Sequence, residues 1–193
     1  MQTAAPDPIP HRLPLRALAL PPPCRSLLVA PCGKGDLCLE LAGLGLFVTG
    51  IDSDERLVAA AREYAAEAGR PVTFQVANAE RMSFADRHFD AVLCMDFIEW
   101  ITDEAERWRL VDELCRVASP YVQVSYAAPF ALAAVGERLR RFGSEHPHGA
   151  RTYRTCSMQS LRAKFQRHGF RLRRDLARRR LVHPLHLGVF QRI

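Results

Sequence analysis

From Ser26 onward, short apolar runs alternate with longer amphipathic stretches. "SLLVA" is continuously apolar, the pattern of a strand covered on both faces. "GDLCLELAGLG" predicts a helix with Leu37, Leu41 and Leu44 on one side, ended by Gly43 or Gly45. "LFVTGID" reads as a second buried strand. "SDERLVAAAREYAAEAG" is the clearest helix: Ser53 or Asp54 caps it, acids fill its first turn and Gly69 stops it. "PVTFQVA" and "FDAVLCM" read as the third and fourth strands. In "TDEAERWRLVDELCRVAS", Thr102 is the expected cap, and Trp108, Val111, Leu114 or Cys115, and Ala118 recur at helical spacing.

"YVQVSY" is a fifth strand. A helical stretch from Phe130 to Phe142 follows, then the loop "GSEHPHGARTY" and a helix "SMQSLRAKFQRHG" capped by Ser157 and ended by Gly169. Two further strands close the pattern. Phe170 and Leu172 share one face with Arg171 and Arg173 on the other, and Leu185, Leu187 and Val189 line one face of the last strand. Such alternation predicts an α/β protein. Its core is a Rossmann-like, doubly wound, mostly parallel seven-stranded sheet with an antiparallel C-terminal edge strand. Residues 1–25 hold seven of the 13 prolines and form an extended arm; residues 26–193 form the domain.

Composition narrows the setting. With 193 residues and 48% hydrophobic side chains, the chain can bury one full core. No segment approaches the roughly 18 consecutive apolar residues of a membrane span. The apolar stretch from Leu13 to Leu20 is broken by Pro14 and Arg16, unlike a signal peptide, so a cytoplasmic protein is expected. The six cysteines form no CxxC pair and are expected to be free thiols. Net charge is +6 but unevenly spread: residues 1–135 hold 12 Arg/Lys against 18 Asp/Glu, and residues 136–193 hold 15 against 3. That asymmetry points either to an anionic partner or to a composition biased toward arginine.

In a doubly wound sheet, ligands bind outside the carboxyl ends of the strands. Three successive strand ends carry suitable residues. After the first comes "APCGKG", where glycines let a ligand approach without meeting a Cβ. The second ends in Asp52, whose carboxylate can accept both hydroxyls of a ribose. The third ends in Asn78 and Ala79, an amide and a small residue suited to an adenine edge. Each also has a plainer role: a tight turn for Gly33 and Gly35, a helix cap for Asp52, a turn former for Asn78.

The region from Ser26 to about Tyr126 resembles the class I S-adenosylmethionine-dependent methyltransferases, and most of all the subgroup around the ubiquinone/menaquinone methyltransferases. Four stretches carry the resemblance in order: "LLVAPCGKG", "VTGIDSDERLVAAARE", "VTFQVANAERMSFADRHFDAVLCMDFIEWI" and "ELCRVASPYVQVSY". The family usually has an acid near Val29, a glycine at Pro31 and an aspartate at Asn78; this chain has none of these. The resemblance implies S-adenosylmethionine as cofactor, held by Ala30, Pro31, Cys32, Gly33, Gly35, Asp52, Ser53, Asn78, Ala79 and Met95. It implies methyl transfer by in-line displacement to a small organic acceptor, an anionic one among the options.

No spacing selects a catalytic residue among Asp96, Glu99, His146, His148 and Tyr153, and Asp96 and Glu99 read equally well as a solvated helix start. His146 and His148 lack a third ligand, so no metal site is read. The rivals are an RNA methyltransferase and a non-catalytic binder of anionic ligands with the same fold. A nicotinamide oxidoreductase is disfavoured because Cys38 stands where the third glycine of a G-x-G-x-x-G would fall.

Overall fold

The computed structural model describes residues 24–127, 156–177 and 185–193. The expected arm (except Cys24 and Arg25), the helical stretch 130–142, and His146, His148 and Tyr153 lie outside the described residues. Seven strands form one sheet: β1 (Ser26–Val29), β2 (Phe47–Asp52), β3 (Val72–Val76), β4 (Phe89–Cys94), β5 (Ala118–Ala127), β6 (Phe170–Ala177) and β7 (Leu185–Arg192). Their order is β3-β2-β1-β4-β5-β7-β6. The first five are parallel, and β7 runs antiparallel between β5 and β6. The antiparallel strand thus stands one place in from the edge, and β6 is outermost. This is why both faces of β7 are buried, with Leu187 and Val189 on one side and His186 and Phe190 on the other.

The described helices are α1 (Asp36–Ala42), α2 (Glu55–Glu67), α3 (Glu104–Val117) and α4 (Met158–Arg167). One apolar cluster joins α1 and α2 to Leu27, Val29, Leu93 and Leu187. The other joins α3 and α4 to Val92, Cys94, Val122, Tyr126 and Phe190. Asp54, rather than Ser53, caps α2, accepting from Arg56 N at 2.9 Å. Asp103, rather than Thr102, caps α3, accepting from Glu106 N at 2.9 Å. The buried stripe of α3 is Arg107, Leu110, Val111, Leu114, Cys115 and Val117. Trp108 is only half-buried, and Ala118 already belongs to β5. Leu44 lies past the end of α1 and is exposed. All six cysteines are free, and five are buried. No described helix is long and apolar enough to cross a membrane.

Gly35 shows what the first loop is packed against. Its φ is +84°, and a Cβ there would stand 2.7 Å from Phe74 Cζ and 3.0 Å from Ala61 Cβ. Strain and overpacking then add. Gly35→Ala is expected to cost about 3 kcal/mol, a fall in melting temperature of roughly 5–10 °C, read by circular dichroism melting. A melting temperature within about 1 °C of wild type would contradict this packing.

Candidate cofactor and acceptor site

The tips of β1, β2 and β3 are tied together by backbone and by one carboxylate. Cys32 N donates to Ile51 O at 2.8 Å, and Ala77 N donates to Asp52 O at 2.9 Å. Gly33 N donates to Asp52 Oδ2 at 3.0 Å. Asp54 N donates to Asp52 Oδ1 at 3.0 Å. Asp52 is 8% exposed. Each of its oxygens holds one backbone donor and keeps a second lone pair for a ligand. It faces the loop and does not cap α2.

The two loop glycines differ. Gly33 has φ +54°, and a Cβ built on it meets nothing within 4 Å. The space over this turn is open, while the space over Gly35 is filled by Phe74. Ala30 and Cys32 are buried, Pro31 is half-buried and Ser53 is exposed. A hydrogen bond with Cys32, then burial, pushes the Cys38 thiol far up, which keeps it protonated and unreactive.

At the tip of β3, Asn78 is exposed and Ala79 buried. Asn78 Oδ1 accepts from Glu80 N at 2.7 Å, fixing the side-chain amide in a local turn. The carbonyl expected to meet an adenine amino group therefore already holds one donor and has one lone pair left.

At the tip of β4, Met95 is half-buried against the α1–α2 cluster. Asp96 is exposed with φ +50°, and its N–H donates to Ser125 Oγ of β5 at 2.6 Å. That anchor holds the chain as it turns into a short 3-10 segment, Ile98–Trp100. The segment turns Glu99 inward: it is 1% exposed, and Oε2 is buried with no hydrogen-bond partner among the described residues. Burial, reinforced by the charge of Asp96, raises its carboxyl to about 7 from the usual 4.5. Glu99 is therefore not the solvated helix start that its spacing also allowed. It can hold or release a proton near neutrality. Among the described residues, no group of three His, Cys, Asp or Glu is placed to hold a metal ion.

The expected residues Ala30, Pro31, Cys32, Gly33, Gly35, Asp52, Ser53, Asn78, Ala79 and Met95 all lie at the carboxyl ends of β1 to β4. Sequence reasoning missed Phe74, which packs over Gly35. It also missed Ser125, which anchors Asp96, and the polar residues Tyr126, Asp175 and His186 beside them. Position at the end of β5 was the available signal for Ser125 and Tyr126. Nothing local marks Asp175 or His186, which meet only through the pairing of β6 with β7.

Residues 28–121 match the family described as Methyltransferase domain. The ubiquinone biosynthesis O-methyltransferase of Thiobacillus denitrificans is 32% identical over 121 residues, 58% of this chain and 50% of that one. The protein of the same name from Xanthomonas axonopodis pv. citri is 32% identical over 145 residues, 71% of this chain and 61% of its own. The chain thus spans about half the length of these curated relatives. Among solved structures, magnesium protoporphyrin IX methyltransferase (ChlM) from Synechocystis PCC 6803 with bound SAH aligns with a TM-score of 0.75 at 22% identity, covering 92% of this chain and 78% of that one. At that identity the likeness speaks for the fold. The domain match, the relatives and the sheet order agree, and the chain belongs to the class I S-adenosylmethionine-dependent methyltransferases.

Proposed function

We propose that residues 26–193 act as one methyltransferase domain, with 1–25 as an appended arm, and move a methyl group from S-adenosylmethionine to a small organic acceptor. The observation that carries this reading is the joint between two strand tips. Asp52, at the end of β2, accepts from Gly33 N of the first loop at 3.0 Å, beside a turn whose upper side is open. The residues fit the cofactor. Ala30, Pro31, Cys32, Gly33 and Gly35 form the loop that would line its amino-acid end, together with Met95. Asp52 would accept the ribose hydroxyls, with Ser53 beside it, and Asn78 and Ala79 would meet the adenine.

When bound, S-adenosylmethionine supplies an activated methyl carbon on a sulfonium. The chain's own work is to position and to exclude water. Glu99 stands ready to take the proton of an acceptor that must lose one. A small acceptor is in keeping with the names of the relatives, an O-methyltransferase of ubiquinone biosynthesis and a methyltransferase of magnesium protoporphyrin IX.

Thermal melting with S-adenosylhomocysteine beside NAD tests the reading. At a hundredfold excess over its Kd, a ligand of the folded state adds about 2.7 kcal/mol. For a domain of this size that is a rise of roughly 5–10 °C. The rise is expected with S-adenosylhomocysteine and not with NAD; a rise with NAD alone would overturn the proposal.

A further inference from the structure

Beyond the tips of β1 to β4, the same rim of the sheet continues over β5, β7 and β6. Because β7 is antiparallel, its beginning lies level with the end of β5: Tyr126 pairs with His186, and Ala127 with Leu185. The end of β6 reaches the same level, Ala177 pairing with His186 and Asp175 with Gly188. Tyr126, Asp175 and His186 come together on the face covered by α3 and α4. Tyr126 shares its apolar cluster with Ile98 and Ile101, which open and follow the 3-10 segment that carries Glu99.

These three side chains fix each other's hydrogen-bond roles. The Tyr126 hydroxyl donates to Asp175 Oδ1 at 2.9 Å. His186 Nδ1 stands 3.2 Å from the same oxygen. A carboxylate offers only lone pairs, so Nδ1 is the donor and carries the ring proton. With the ring neutral, this tautomer makes Nε2 a bare acceptor. The Tyr126 and His186 rings lie 5.3 Å apart at 47°, which limits rotation of the imidazole. The His186 side chain is 10% exposed, and Nε2 is buried with no hydrogen-bond partner among the described residues. A buried acceptor without a donor is costly, and a ligand that brings the donor recovers the cost.

We infer that His186 Nε2 accepts a hydrogen bond from a hydroxyl group of the methyl acceptor, and that the acceptor is therefore a small hydroxylated molecule. The inference rests on the methyl-transfer reading, since only that reading makes this end of the rim the acceptor's side. A carboxylate at the same point would set lone pair against lone pair, so the dyad selects against an anionic group there. Asp175 and Tyr126 act through the ring as positioning residues. Glu99, on the segment packed against β5, and His186, on β7 beside the end of β5, then stand at the same end of the sheet.

The test uses the full chain with 15N-labelled histidine, phenol as probe and anisole as the matched ring without a hydroxyl. Nitrogen NMR of His186 is expected to show a proton on Nδ1 and a bare Nε2. Phenol should shift the Nε2 resonance, and anisole should not. His186→Phe should bind phenol about tenfold more weakly, with unchanged affinity for S-adenosylhomocysteine. Asp175→Asn, a milder change, should give a mixture of the two ring tautomers. A proton on Nε2 in the free protein, or equal binding of phenol and anisole by wild type, would overturn the inference. Affinity for S-adenosylhomocysteine is measured separately by calorimetry, and the phenol titration is run with and without it. Loss of nucleoside binding would then count against the methyl-transfer reading, while the imidazole result still decides the role of His186.

Discussion

Replacing Asp52 with alanine is expected to weaken S-adenosylhomocysteine binding by a hundredfold or more while leaving a folded protein. Two effects add. The carboxylate holds Gly33 N and Asp54 N, each at 3.0 Å, so its loss frees both the first loop and the entry to α2. It would also remove the acceptor for the ribose hydroxyls. Hydrogen bonds to a charged group contribute about 1.5–3 kcal/mol each, so losing two corresponds to roughly a hundredfold or more in affinity. The fold should survive because α2 keeps its own cap in Asp54 and its buried face of Val58, Ala61 and Ala65. Asp52→Asn separates the two effects. It keeps one acceptor oxygen and turns an N–H donor toward a backbone N–H, so affinity should fall by an intermediate amount. Calorimetry gives the affinities, and circular dichroism checks folding. An alanine variant that binds within about threefold of wild type would remove Asp52 from the site.

Glu99→Gln is expected to make the protein more stable and less active. The folded state holds the Glu99 proton up to about pH 7, whereas the unfolded chain releases it near 4.5. Between those values the folded state binds more protons, so stability from this group falls as pH rises and levels off above 7. Below pH 4.5 the wild type and the variant should melt alike. Above pH 7 the variant should be the more stable, by roughly 3 kcal/mol. Activity should move the other way. For a hydroxylated acceptor, a positioned base contributes about 10²–10⁴ in rate, so kcat should fall by at least about a hundredfold. Wild-type kcat should rise with pH through about 7, as Glu99 ionises, and that rise should vanish in the variant. Unchanged kcat with increased stability would leave Glu99 a strained structural residue without a role in proton transfer.

The strands, and the position of the candidate site residues at their carboxyl ends, were legible in the sequence because each rests on local pattern. "SLLVA" is a continuous apolar run and "FDAVLCM" is interrupted only by Asp90, and both are strands covered on both sides. Asp52 and Asn78 stand where the apolar runs of β2 and β3 stop, and position alone marks them. Cap choices were less legible: Thr102 and Asp103 are both good caps, and the chain's entry angle decides between them. Gly35 was misread in emphasis. Its need for glycine comes from Phe74, 39 residues away in the sequence and therefore invisible in the local pattern. The inward turn of Glu99 was invisible for a similar reason, since it depends on Ser125 of β5 holding Asp96 N. Tyr126, Asp175 and His186 form a group only once β7 enters between β5 and β6.

The place of β7 also bears on how the chain is made. Residues 185–192 occupy the interior slot between β5 and β6, and Phe190 is stacked on Phe165 of α4 at 3.8 Å. Until residue 192 has left the ribosome, β5 carries an unpaired flank and β6, though packed on α4, has no strand to pair with. The half proposed to face the nucleoside can condense early, since β1 to β4 and their helices pair among themselves. The half proposed to face the acceptor must wait for the strand that bridges it. A nascent chain stalled before residue 185 would expose a sticky β5 border to its neighbours, so translation speed through the codons of β7 should govern yield of soluble protein.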